Sequence, residues 1–168
     1  MDAIEWTIVK SRATRVLAFI AGEFDMTFNA DVTVPLLKDV KAKAPDAVCE
    51  LRTTNVSFNL IVNQEQPPFN DPDIRRAMVL TMDRKAFIDI LSEGQNVSGG
   101  TMMPPPEGVW GMPTEFLQNV AGYGPDVEKS RAEARKIMES KGYGPNNRLK
   151  LKVSTRNIAV YRDPAVIL

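Results

Sequence analysis

The strongest structural signals in the chain lie between Asn55 and Leu91, in the stretch NVSFNLIVNQEQPPFNDPDIRRAMVLTMDRKAFIDIL. Its first part alternates between apolar and polar side chains, which predicts a β-strand with one face in the core. Pro67 and Pro68 end this extended run, because proline cannot donate a hydrogen bond to a β-ladder. The apolar face of the predicted strand consists of Val56, Phe58, Leu60 and Val62.

Two helices are predicted after the proline pair. Asp71 is placed to cap the first helix, with a proline at the first helical position and a second aspartate in the first turn. Asp83 can cap a second helix from Arg84 to Leu91, which Gly94 closes. The first helix should bury one side, because apolar residues recur at helical spacing. These residues are Ile74, Ala77, Met78 and Met82.

Upstream of this stretch, the pattern predicts strands and helices in alternation. Ser11 caps a predicted helix through Ala21, which Gly22 ends, and Asp31 or Thr33 starts a second helix that stops near Ala44. The order β-α-β-α-β is typical of a sheet covered by helices, so we predict an α/β fold. The predicted strands cover residues 4–9, 24–28 and 47–53.

Downstream, residues 94–125 are rich in glycine and proline and predict a long loop, with one helical turn at 114–118. Asp126 caps a predicted helix from Val127 to Lys141, which Gly142 ends. Residues 148–155 alternate cleanly and predict a strand, and another helix should begin at Ala159.

Composition excludes several functional classes. Lys and Arg together number 21, as do Asp and Glu, so the net charge is zero, which argues against a nucleic-acid partner. The absence of histidine removes the Ser-His-Asp triad and every histidine-containing zinc site. The single cysteine, Cys49, cannot form an internal disulfide. No catalytic constellation, metal site or cofactor is predicted, so we do not expect an enzyme.

Two ordered sets of residues resemble the extracellular solute-binding proteins of family 5, the oligopeptide, dipeptide and nickel class that serves ABC importers. The first set follows the pattern N-x-x-x-PPF-x-D-x-x-(I/V)-R-x-A, continued by an Asp-Arg pair. It comprises Asn63, Pro67, Pro68, Phe69, Asp71, Asp73, Ile74, Arg75, Ala77, Met78, Met82, Asp83, Arg84 and Ile88. The second set comprises Tyr123, Pro125, Asp126, Ala134, Ile137, Met138, Gly142 and Tyr143.

The resemblance implies a fold like that of the type II periplasmic-binding proteins, here incomplete and with parts of two lobes. Residues 1–54 would belong to the first α/β lobe, and residues 55–168, with the Gly/Pro loop 94–125, to the second. It also implies a periplasmic parent protein. Because the N-terminus lacks a signal-peptide pattern, we expect the 168 residues to be an internal fragment.

A solute-binding protein needs no catalysis, only two lobes that close on a ligand among aromatic and polar groups. The expected ligand is a peptide or another small organic solute, and the expected partner of the full-length parent is an ABC permease. The candidate contacts are Trp110, Met102 and Met103 in the Gly/Pro loop, with Asn55, Phe58 and Asn59 near the crossover between lobes.

Structural alternatives exist for each candidate. Trp110 could be a core plug under the loop, Phe58 could be core, and the asparagines could lie on an ordinary solvated strand face. For Arg75 the two possibilities are an anion contact and a structural pair with a nearby aspartate. A second hypothesis for the whole chain is a truncated remnant that binds no solute and forms homo-oligomers through exposed strand edges at 4–9 and 148–155.

Overall fold

The computed structural model describes residues 1–28, 31–51, 58–100 and 112–168, and regular structure in these ranges is helical. No described helix is long and apolar enough to cross a membrane. In chain order, the helices are α1 (Arg12–Ile20), α2 (Val34–Lys43), α3 (Pro72–Thr81), α4 (Arg84–Ser92), α5 (Thr114–Leu117), α6 (Val127–Ser140) and α7 (Ala159–Ile167).

Four predicted helix caps are confirmed, each by a side-chain oxygen that accepts a hydrogen bond from a backbone N–H of the first turn. The acceptors are Ser11, Asp71, Asp83 and Asp126, at donor–acceptor distances of 3.3, 2.8, 2.9 and 2.9 Å. Gly22, Gly94 and Gly142 follow α1, α4 and α6 with positive φ, as predicted for residues that end helices. These signals are local, and they were therefore readable from the sequence.

The start of α2 resolves a choice that the sequence left open. Thr33 occupies the cap position, although its side chain makes no capping hydrogen bond. Asp31 instead forms a bidentate ion pair with Arg15 of α1. The Arg15 Nη2 and Nε atoms donate to Asp31 Oδ1 and Oδ2 at 2.6 and 2.9 Å. The carboxylate of Asp31 is buried, so this pair fastens the segment before α2 to α1.

The predicted strands do not pair within the described residues, and the α/β class is therefore not confirmed. The described parts of 4–9, 24–28, 47–53, 55–63 and 148–155 contain no β-ladder. A strand exists only when a neighbouring strand accepts and donates its backbone hydrogen bonds, which alternation alone does not provide. The β-type contact that the described ranges do contain is a single antiparallel bridge between Gly144 and Asn147.

The core lies where α3 packs against α6. Ala77 and Ala134 are 2% and 1% exposed, and Leu80 is buried beside them. Ala121, Ile137 and Met138 pack around this centre. Two alanines at the contact let the helix backbones approach closely, while the larger side chains fill the space around them. The predicted apolar face of α3 is thus confirmed at Ile74 and Ala77.

Gly122 lies against the last part of α3 and leaves no space for a side chain. A Cβ atom there would lie 2.3 Å from the Val79 carbonyl oxygen and 2.9 Å from its Cγ1. The backbone also has a φ of +78°, which glycine adopts without strain. Gly142 has a similar φ of +82°, but an added Cβ would have no neighbour within 4 Å.

We predict that Gly122→Ala destabilises the protein more than Gly142→Ala does. Both alanines must adopt a left-handed conformation, which costs about 1 kcal/mol. Only Gly122→Ala also forces a side chain into the α3 backbone, which adds roughly 2 kcal/mol or more. Urea denaturation followed by circular dichroism measures the two free energies of unfolding, and equal losses would show that the segment at Gly122 does not pack on α3.

Candidate functional site

Only two of the six predicted ligand contacts lie in the described part of the chain. Asn55, Met102, Met103 and Trp110 lie outside the described residues. Phe58 is 53% exposed, and Asn59 is exposed as well. Phe58 is therefore not a core residue in this structure, which contradicts the core interpretation. The assignment of all six residues to a ligand site stays a prediction.

An ionic cluster joins the start of α3 to the end of α6. The Lys141 ammonium lies 2.8 Å from Asp71 Oδ2 and 2.8 Å from Asp73 Oδ2. Its hydrogen bond to Asp71 is the main cause that raises the pKa of Lys141 and lowers the pKa of the Asp71 carboxyl. A hydrogen bond from the Asp73 backbone N–H lowers the pKa of Asp71 further. The two carboxylates thus act as a helix cap and an inter-helix tie.

The two arginines of the α3 motif also serve the scaffold. Arg75 Nη1 donates to the carbonyl oxygen of Phe69 at 2.6 Å, so its partner is a backbone group rather than the expected aspartate. Arg76 Nη2 lies 2.8 Å from Glu133 Oε1, which adds a second, more exposed link between α3 and α6. The structural alternative for Arg75 therefore agrees with the structure.

Arg84 connects the start of α4 to the segment that precedes α6. Its guanidinium carbon lies 3.8 Å from the centre of the Tyr123 ring, within the range of a cation–π interaction. The same side chain donates from Nη1 to the Gly122 carbonyl oxygen. Arg84 and Tyr123 belong to the two separate sets of family-like residues, so this contact joins both sets.

A groove of about 600 Å³ lies between α3, α6 and residues 143–151. Its volume falls in the range of small-molecule sites. The floor is apolar and the rim carries Arg131, Arg135, Glu139 and Arg148. The side chains of the floor include Ile74, Ala77 and Met78 from α3, Ala134 and Met138 from α6, and Leu149 and Leu151 beyond it.

Sequence reasoning missed both the Lys141 cluster and the groove. Each depends on contacts between residues about 60 to 80 positions apart, which no local pattern encodes. The sequence held one weak signal. The apolar stripe of α3 and the alternating Leu149 and Leu151 are both apolar surfaces that need another segment packed against them.

The described side chains form a groove and a set of ion pairs. Within the described ranges, no three carboxylate, thiol or imidazole groups cluster in a way that could hold a metal ion. The ion pairs described above all connect parts of the scaffold. A concave, mostly apolar pocket with a few polar groups is the usual form of a small-molecule site.

Comparison with known proteins places the chain in a family. The family model described as "Bacterial extracellular solute-binding proteins, family 5 Middle" matches residues 1–166 of the chain. The chain therefore belongs to the family 5 solute-binding proteins, as its motifs indicated. Members of this family bind solutes for transport, and the family implies a periplasmic-binding-protein-like fold. No solved structure gives a significant match.

Three curated relatives illustrate the family. The chain is 26% identical to the periplasmic oligopeptide-binding protein OppA of Escherichia coli K12, over 99% of this chain and 29% of OppA. It is 31% identical to the probable D,D-dipeptide-binding periplasmic protein DdpA of the same strain, over 77% of this chain and 23% of DdpA. It is 26% identical to the probable di/tripeptide-binding protein 5 of Pseudomonas aeruginosa UCBPP-PA14, over 84% of this chain and 24% of that protein. The chain thus spans less than a third of the length of these relatives.

We predict that Lys141→Met lowers stability at neutral pH and that the loss shrinks in acid. The lowered pKa of Asp71 means that its contribution is fully present above the unfolded value of about 4 and is lost as the pH falls through the lower pKa of the folded state. The raised pKa of Lys141 means that its contribution is fully present below the unfolded value of about 10 and is lost only as the pH rises through the higher pKa of the folded state. Urea midpoints of both proteins at pH 7 and pH 3 measure the difference.

Lys85→Met is the matched control for this experiment. Lys85 pairs with Asp89 one turn along the same helix, so its removal breaks no link between helices. We expect a smaller loss at pH 7 than for Lys141→Met. The inter-helix role of Lys141 is rejected if the two variants lose equal stability, or if the Lys141→Met deficit persists unchanged at pH 3.

Proposed function

We propose that this chain is part of a periplasmic solute-binding protein that delivers a peptide-like or other small organic solute to an ABC importer. The observation that carries the proposal is the family match over residues 1–166. The names of the three relatives, which bind oligopeptides, D,D-dipeptides and di- or tripeptides, favour a peptide as the solute. The proposed partners are the solute and an ABC permease, and the proposed work is binding without turnover.

The proposed fold follows from the family and from the order of predicted elements. Residues 1–54 and 55–168 would contribute to two α/β lobes of a periplasmic-binding-protein-like fold, with the ligand between them. Several extended segments expose apolar side chains, among them Ile4, Trp6 and Ile8 in the first and Leu151 and Val153 in the last. Such segments would find their ladder partners in a more complete sheet.

Within that arrangement, we assign ligand contact to Trp110, Met102 and Met103 of the Gly/Pro loop and to Asn55, Phe58 and Asn59. The exposed ring of Phe58 supports the assignment, because it is accessible to a ligand in the described structure. Aromatic rings give a solute a large contact area, and amide side chains can pair with the backbone groups of a peptide.

Self-association is the second candidate. Trp6 is 75% exposed and Ile8 is 94% exposed, so residues 4–9 present apolar side chains to solvent. An apolar segment of this kind can pair with the same segment of another copy. The relatives give no support for a homo-oligomer, and the solute-binding proposal is therefore preferred. Sedimentation velocity across a range of concentrations measures the association directly.

The two tryptophans of the chain allow a clean test of solute binding, because Trp6 is exposed and Trp110 is a proposed contact. In Trp6→Phe, the remaining Trp110 should change its emission saturably when di- to pentapeptides are added. In Trp110→Phe, the remaining Trp6 should not respond, and calorimetry should give binding weaker by about tenfold or more.

Trp6→Phe is the matched control for Trp110→Phe, because each variant replaces one tryptophan by phenylalanine. If Trp110→Phe binds the peptides as tightly as Trp6→Phe does, Trp110 is not a ligand contact. If neither variant nor the unmodified chain binds any peptide of the series, peptide binding by this chain is refuted.

A further inference from the structure

The groove between α3, α6 and residues 143–151 combines a partly exposed apolar floor with a basic rim, and its lining includes none of the proposed solute contacts. We propose that this groove binds a free amphipathic carboxylate, with the hydrocarbon body on the floor and the carboxylate between Arg135 and Arg148. The proposal does not rest on the proposed function, because it concerns a different set of residues.

The floor suits a flexible hydrocarbon. Met78 and Met138 lie on opposite helices of the groove, and Leu149 and Leu151 close its third side. Methionine side chains adjust to irregular apolar ligands at little cost. Leu151 is still half-exposed in this structure, so a ligand would remove apolar surface from water.

The rim has an excess of positive charge. Of the three arginines on the rim, Arg131 forms an ion pair with Glu128, with Nη1 3.1 Å from Oε1. Arg135 and Arg148 have no ion-pair partner among the described residues, and both are exposed. Glu139 is the sole acidic side chain among the lining residues that the structure describes. The local charge is therefore positive although the whole chain is neutral.

A carboxylate matches this rim better than a cation or a neutral group does. Guanidinium groups form paired, charge-assisted hydrogen bonds with carboxylates, and they retain their charge at any accessible pH. A cationic amphiphile would meet the same floor but would be repelled by Arg135 and Arg148. Head-group charge should therefore decide which amphiphiles bind.

The test uses sodium decanoate, below the concentration at which it forms micelles, titrated into the 168-residue protein by calorimetry. Decyltrimethylammonium supplies the same chain length with the opposite charge. We expect saturable binding of decanoate and much weaker binding of the cation. Octanoate should bind about two- to fourfold more weakly per methylene removed, because each methylene contributes apolar contact with the floor.

The decisive variant is Arg135→Glu/Arg148→Glu, which should weaken decanoate binding by about tenfold or more. The matched control is Lys136→Glu/Lys150→Glu, which makes the same change in net charge at neighbouring positions that do not line the groove. The control should retain decanoate affinity within about twofold. Circular dichroism confirms that both variants keep the helical content of the unmodified protein.

Three results would overturn the proposal. Equal binding of decanoate and decyltrimethylammonium would mean that the rim charges do not select the ligand. Equal losses in the two double variants would mean that only overall charge matters. A dimer in sedimentation velocity that excludes decanoate would mean that a second copy of the chain covers the groove. Because peptide binding is read from Trp110 and decanoate binding by calorimetry with groove variants, failure of one proposal leaves the other standing.

Discussion

The contact between α3 and α6 is the constraint on which the rest of the described structure depends. Ala77 and Ala134 are almost completely buried where the helices meet, and small side chains there set a short distance between the backbones. Gly122 is also a position where only a small residue fits. The segment before α6 passes so close to the Val79 carbonyl that there is no space for a Cβ atom. Charged links at Lys141 and Arg76 then fix how one helix lies on the other. The groove exists because this pair is held and because residues 143–151 run beside it.

The sequence predicted helices well because their start and stop signals act within one or two turns. Asp71, Asp83 and Asp126 each cap the helix that the sequence predicted to begin after them. It predicted the apolar face of α3 for the same reason, since helical spacing is visible in a short window. The one-turn helix at Thr114–Leu117 was also foreseen within a residue.

The sequence could not settle the strands, the ionic cluster or the groove, because these are relations between distant segments. Alternation at 148–155 describes a face, whereas a strand also needs a backbone partner, and the described structure provides none. Lys141 carried no local sign that its ammonium would bridge Asp71 and Asp73, some 70 residues upstream. Of the proposed solute contacts, Phe58 and Asn59 lie in the described part of the chain, and both are exposed.

The family-like residues explain the scaffold and leave the choice of solute to other positions. Asp71 caps α3 and holds Lys141, Arg75 binds the Phe69 carbonyl, and Arg84 lies over Tyr123. A side chain committed to such contacts cannot also bind a ligand without giving up the packing that it maintains. The motif therefore identifies the family with high specificity and says little about the solute. Under the proposed function, discrimination between solutes would come from residues that the scaffold does not use, and exposed apolar and aromatic side chains such as Phe58 are of that kind.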